Sequence, residues 1–259
     1  MCLLVWNWQP TSTIPLLLLG NRDEFYARPT EPLHHWPNAR ILAGRDLQAG
    51  GTWLGVSRSG NGKLRLAALT NYRSAEAPRA DAPSRGALTS NFLQSDLSAE
   101  AYLQTLVPVA GTYNPFNLLV FDGQTLLGLE SRNARTVALQ PGIGAVSNAD
   151  FGTPWSKLSQ LSHAFAQCVV QDTTQDNHLW PLLQSRTVVA DADLPHTGVA
   201  LELERALAPV FIATPNYGTR ACSVVRMGKD KVQFSEQRFG ADGRLGKTSL
   251  TWGRTRCAE

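Results

Sequence analysis

Apolar residues at strand spacing alternate with stretches at helical spacing along this chain, in the order strands, helices, strands, helices, strands. Cys2–Trp8 is rich in β-formers, and Pro15–Gly20 is a second apolar run. The polar break QPTSTIP between them suits a hairpin turn, which puts Cys2 at the start of the first of two paired strands. The segment RPTEPLHHWPNAR reads as loop. Short strands are expected around Ile41–Ala43, Thr52–Ser57 and Leu64–Thr70, punctuated by glycines.

The period then changes. Leu88, Phe92 and Leu93, followed by Tyr102, Leu103 and Leu106, have helical spacing, and Ser98 opens a second helix after a break at Ser95–Leu97. Strands are expected again at Phe116–Phe121, Leu126–Glu130 and Thr136–Leu139, with Asp122-Gly123 as a hairpin turn. Trp155–Val169 predicts an amphipathic helix with Leu158, Leu161, Phe165 and Cys168 on one face and Pro154 in its first turn. Further helices are expected at Asp176–Ser185 and Glu202–Ala208, then strands at Ser223–Met227, Val232–Arg238 and Leu245–Trp252. This is an α+β order rather than strict β-α alternation. Without repeats or a linker, the expectation is a single domain over residues 1–259.

Composition narrows the function. The 259 residues are 43% hydrophobic and 17% charged, with a net charge of +3 from scattered arginines. No basic stripe interleaved with aromatics is present, which argues against nucleic acid as a partner. Leu16–Leu19 is too short for a signal or membrane segment, and no other run approaches ~20 apolar residues, so no integral membrane segment is expected. Cys2, Cys168, Cys222 and Cys257 have no C-x-x-C spacing, which fits a reducing compartment and a cytoplasmic protein. Nothing in the pattern specifies an oligomeric state.

Candidate chemistry begins at MCLLVWNW. The five histidines lack metal-ligand spacing, and no metal or cofactor is expected; neither a G-x-S-x-G elbow nor a phosphate loop is present. If Met1 is removed, Cys2 carries a thiol and a free α-amine on one residue. Their ordinary pKa values, about 8.5 and about 7.7–8.0, let the amine act as base for the thiol. The cluster GNRDE, at the end of the second strand, then lies near the chain start. Asp23 can hold the α-amine, and Arg22 can favour the thiolate or bind an acidic substrate. Asn71 and Asn148 follow apolar runs, where a side-chain amide can donate to an oxyanion. The alternative reading of each is ordinary: a buried apolar cysteine, a solvated strand end, asparagines that terminate strands.

The ordered blocks MC, GNRDEFYARPTEP, Trp36, AGRDLQAGGTWLGVSRSG, AALTNYR, SRGALTSNFL, YNPFNLLVF, SNADFGTPWSKL and YGTRACSVV span nearly the whole chain. With them the chain resembles the NRDE family, also called the transport and Golgi organisation protein 2 family. The resemblance implies a four-layer αββα sandwich of the Ntn-hydrolase type. It is most similar to the branch with bile salt hydrolases, penicillin V acylases and acid-ceramidase-like amidases, which cleave non-peptide C–N bonds with an N-terminal cysteine. It implies Cys2 as nucleophile, Asn71 in the oxyanion hole, and Asn148 and Arg220 beside the nucleophile. Those enzymes carry G-R-N-x-D; here Arg22 directly precedes Asp23, and aligning the glycines sets Glu24 at the aspartate's place, so either carboxylate is open for the amine.

Two function classes follow. One is an amidohydrolase acting on a linear amide of a small-molecule or lipid-like substrate. The other is a non-catalytic haem- or lipid-binding trafficking protein on the same scaffold, as relatives' association with secretory organisation, lipid metabolism and haem movement implies. In that case Trp6, Trp8, Trp36 and Trp53 would line the pocket, and His34, His35 or Cys2 would ligate haem.

Overall fold

The computed structural model describes residues 2–37 and 39–253; Cys257 lies outside them. In chain order, strands β1 (Cys2–Trp8), β2 (Leu16–Phe25), β3 (Thr30–His35), β4 (Ile41–Asp46), β5 (Leu54–Arg58) and β6 (Leu64–Asn71) precede helices α1 (Gly86–Gln94) and α2 (Ala99–Leu106). Strands β7 (Phe116–Phe121), β8 (Leu126–Glu130), β9 (Arg135–Ala138) and β10 (Gly142–Val146) follow. Helices α3 (Ser156–Val170), α4 (Asp176–Leu183) and α5 (Leu201–Leu207) lead to β11 (Tyr217–Met227), β12 (Lys231–Gly240) and β13 (Gly243–Gly253).

The strands form two antiparallel sheets. One has six strands in the order β10-β1-β2-β11-β12-β13; the other has seven, β3 to β9 in chain order. Side chains alternate between the faces of a strand, and three cores result. Leu4, Trp6, Leu16 and Leu18 from the first sheet meet Leu42, Val56, Leu66 and Phe121 from the second. The outer face of the seven-stranded sheet packs Ala67, Leu118 and Leu129 against Phe92 and Leu103 of α1 and α2. The outer face of the six-stranded sheet packs Leu3, Val5 and Leu19 against Leu161, Phe165 and Leu183 of α3 and α4. The order is helix, sheet, sheet, helix. At eight residues α2 is well below the ~12–15 at which an isolated helix becomes even marginal, so this burial holds it, helped by the Ser98 hydroxyl accepting from Ala101 N–H at 3.1 Å.

Several expectations need correction. β2 runs beyond the apolar run 15–20 through the charged cluster to Phe25, because those residues pair with β1 on one side and β11 on the other. The presumed loop after it contains β3, an edge strand in which Pro32 is tolerated because one side of an edge needs no amide donor. GIGAV is a further edge strand, β10, paired with β1. Pro154 precedes α3 rather than opening its first turn, since Trp155 is the capping residue. Among the described residues, no helix is long and apolar enough to cross a membrane.

Candidate functional site

Cys2 lies directly opposite Arg22 in the β1–β2 ladder. Alternation therefore divides the cluster Asn21–Glu24 between two faces. Asn21 and Asp23 turn toward the helices: Asn21 Nδ2 donates to the carbonyls of Leu183 and Val210 at 2.8 and 2.9 Å, and Asp23 Oδ1 accepts from the Thr219 hydroxyl at 2.6 Å. Arg22 turns the other way and pairs with Asp46 at 3.0 Å. Glu24, on the same face, lies 3.9 Å from both Arg22 and Arg28. Of the two carboxylates left open by the sequence, Asp23 is buried and Glu24 is partly exposed.

Asn148, fully buried, follows β10 and donates its side-chain amide to the carbonyls of Cys2 (3.2 Å) and Asn71 (2.8 Å). It thus joins the first residue of β1 to the last of β6, one from each sheet. Asn117, which the sequence reasoning missed, holds this loop in place: its Nδ2 donates to Ala149 O at 2.8 Å and to Thr70 Oγ1 at 3.2 Å. Only its place in an otherwise apolar strand, FNLLVF, hinted at it.

Arg220 is the extra residue where the β2–β11 register shifts between Thr219 and Ala221. Such a bulge re-aims a side chain; here Arg220 donates to the carbonyls of Phe25 and Arg28.

A cavity of about 500 Å³ opens here. Cys2, Arg22, Asp23, Asn71 and Arg220 line it, and Asn148 reaches it through its bond to Cys2. All six candidate residues therefore come together. Trp53 is on the wall, but Trp6 and Trp8 belong to the core between the sheets and Trp36 to the core beneath α1. His34 and His35 are not on the wall; His34 Nδ1 contacts Pro32 O at 2.7 Å, and His35 packs edge-on against Trp252. Among the described residues no cluster of three or more His, Cys, Asp or Glu side chains is arranged to hold a metal ion.

Burial dominates the electrostatics. It pushes the Cys2 thiol up to about 11; Asp23 adds to the shift and Arg22 opposes it. It also raises Asp23, against the pull of Lys157, the Thr219 hydroxyl and Arg73. Lys157, on the inner face of α3, is brought down to about 8 by burial and by Arg73; its Nζ donates to Leu207 O at 3.1 Å. Arg73 pairs with Glu204 at 2.7 Å in full burial. The sequence showed Lys157 only as a charge on the apolar side of an amphipathic helix.

A family model for Transport and Golgi organisation 2 matches residues 1–241. The chain is 32% identical to the Transport and Golgi organization protein 2 homolog of Bos taurus over 98% of this chain and 97% of that protein. It is 31% identical to the Homo sapiens homolog over 92% of each chain. Against Transport and Golgi organization protein 2 of Drosophila melanogaster the identity is 33%, over 86% and 85%. On this coverage, the chain belongs to the Transport and Golgi organisation 2 family.

Proposed function

We propose that this protein is an N-terminal-cysteine hydrolase of linear amides, and we read its helix–sheet–sheet–helix order as the Ntn-hydrolase type. The observation that carries the reading is the position of Cys2 on the wall of a cavity of about 500 Å³, beside Asn71 and with its carbonyl held by Asn148. Cavities of ~300–1,000 Å³ suit a small-molecule substrate.

Burial works against the thiolate, so the resting group is a thiol and needs a base. In this reading Met1 is removed, and the α-amine of Cys2 takes the thiol proton as sulfur bonds to the amide carbonyl carbon. The Asn71 side-chain amide donates to the oxyanion. As the C–N bond breaks, the ammonium returns that proton to the leaving nitrogen. Water then attacks the thioester, giving the carboxylic acid and restoring the thiol. Asp23 is the carboxylate assigned to the amine, because it is the buried one of the pair. No cofactor takes part. Free Cys2, Cys168 and Cys222 support a cytoplasmic location.

The test is intact mass of the purified protein before and after a thiol-acylating probe, beside Cys2→Ala, followed by an amide library. Loss of Met1, a single Cys2-dependent adduct and turnover are the expected results. Retained Met1, or labelling indifferent to Cys2, sinks the mechanism. A Soret shift on haem titration that is lost in Cys2→Ala or in the His34 and His35 variants would favour the trafficking reading instead.

A further inference from the structure

Arg22, Arg28, Arg45, Arg85, Arg220 and Arg238 all line the cavity. Their counter-charges differ. Arg22 and Arg28 converge on Asp46 at 3.0 and 2.6 Å. Arg45 lies over the Trp36 ring, 4.7 Å from its centroid, and donates to Gly50 O. The other three form no ion pair among the described residues. Arg220 donates to backbone carbonyls and to Thr30 Oγ1. Arg238 runs along Gly246, where an added Cβ would come within 2.8 Å of its Nη2, and its buried Nε has no hydrogen-bond partner.

Arg85 stands out among these. Among the described residues, its guanidinium makes one hydrogen bond, to Pro115 O at 3.1 Å. It is the residue capping the start of α1, a helix end with no side-chain cap and no acid in its first turn, so the helix dipole adds to its positive field. It shares the cavity wall with Cys2, and burial works against its charge while Glu24 favours it. A half-buried guanidinium that meets a neutral acceptor and forms no ion pair among the described residues is costly to keep. Its planar fork matches a carboxylate.

We infer that the cavity takes an amide that also carries a free carboxylate, of the N-acyl amino acid class, and that Arg85 holds that carboxylate. This rests on the cavity being the substrate site of the reading above, and it favours a small polar amide over a lipid-like one. Arg22, whose place in the sequence suggested an acidic-substrate role, is already paired with Asp46.

The experiment compares alkylation of Cys2 by iodoacetate and by iodoacetamide, which share a leaving group and differ in charge. Rates are read by mass spectrometry for the wild type, Arg85→Gln, Arg85→Lys and free glutathione. Taking the ratio of the two rates cancels any general change in thiol exposure. The wild-type ratio of iodoacetate to iodoacetamide is expected to exceed that of glutathione by about tenfold, the scale of one charge-assisted hydrogen bond. Arg85→Gln is expected to abolish the excess and Arg85→Lys to retain part of it. A wild-type ratio equal to that of glutathione, or a ratio indifferent to Arg85→Gln, overturns the inference. If neither reagent labels Cys2, melting temperature is read with hexanoylglycine and its neutral amide, hexanoylglycinamide. Stabilisation by the anion alone, lost in Arg85→Gln, supports the inference; equal or absent shifts overturn it. Amide turnover is scored separately. An Arg85-dependent ratio without turnover leaves the carboxylate site standing and sinks the hydrolase, and turnover with an indifferent ratio does the reverse.

Discussion

The side-chain amide of Asn148 donates to the carbonyl oxygen of Cys2 at 3.2 Å, inside the protein and across 146 residues of chain. The same nitrogen reaches Asn71 O at 2.8 Å. One buried side chain thus sets the spacing between the proposed nucleophile and the proposed oxyanion donor. Replacing it with alanine takes this donor from both carbonyls, leaving Cys2 O with the Ser147 hydroxyl at 3.3 Å, a cost of about 1–3 kcal/mol. Asn148→Ala is therefore expected to lower the urea midpoint and to change the rate of Cys2 labelling together. A stability loss with unaltered labelling would reduce Asn148 to a structural role.

Asn71 offers a cleaner separation of catalysis from folding, since its side chain is half-buried on the cavity wall. Removing one oxyanion donor typically lowers turnover by about 10²–10³. Asn71→Ala is expected to show that loss in kcat on any amide the screen identifies, with the melting temperature nearly unchanged. An unchanged kcat removes Asn71 from the role.

Lys157 predicts a pH dependence of stability. An unfolded lysine keeps its proton up to about pH 10.4, whereas burial brings Lys157 down to about 8. Between those values the unfolded chain binds the proton that the folded chain has lost, so this group makes stability rise with pH. The Cys2 thiol, raised by burial, acts in the opposite sense from about pH 9 to 11, but it is present in both proteins being compared. The difference in unfolding free energy between wild type and Lys157→Met is therefore expected to move in favour of wild type from pH 8 to about 10.4. A flat difference would contradict the lowering of Lys157 by burial.

The Arg73–Glu204 pair ties the turn after Asn71 to α5 in full burial. Taking away one partner of such a pair costs about 3–5 kcal/mol, because the other charge stays buried. Arg73→Met is expected to lose that much in denaturant unfolding, and the double variant Arg73→Met/Glu204→Leu to lose less than the sum of the two singles. Burial works against ionisation of Glu204, but the Thr197 donors and Arg73 outweigh it and hold its pKa below the ordinary value. Its contribution is present above the ordinary carboxylate range and is lost as pH falls through the lowered pKa.

Gly144 lies opposite Trp6 in the β1–β10 ladder, and an added Cβ would meet the indole ring at 2.4 Å. Gly144→Ala must displace a side chain of the core between the sheets, at a typical cost of 1–3 kcal/mol. The expected readouts are a lower melting temperature and an altered tryptophan emission.

The local pattern carried the strands and helices well where both neighbours agreed with it. The break between α1 and α2, the Ser98 cap and the Asp122-Gly123 turn are set by residues a few positions apart, and they appear as expected. The misses occur where a partner far along the chain overrides the local reading. GNRDE lies at the end of the second strand as expected, but its pairing with β11 on the side away from β1 could not be read locally. RPTEPLHHWPNAR has the prolines of a loop, yet Thr30–His35 pairs with β4 as an edge strand. Arg85 sits in a polar run between strand and helix, and nothing around it in sequence marks it as a cavity residue.

By itself the sequence determined the family, the α+β order, and a short set of chemically capable residues: Cys2, Arg22, Asp23, Asn71, Asn148 and Arg220. The element order follows from periodicities of two and of 3.6, which need no knowledge of distant partners, and the residue set from residue identity together with the family resemblance, which alone pointed to Arg220. Only the tertiary structure decided which way each of those residues turns and which charges are already matched. Successive strand residues point to opposite faces, so Arg22 went to Asp46 while Asp23 went to Thr219. Pairing of charges and depth of burial are set by segments that meet only on folding, and that is why Arg22 pairs with Asp46 while Arg85 lines the cavity with no ion pair among the described residues.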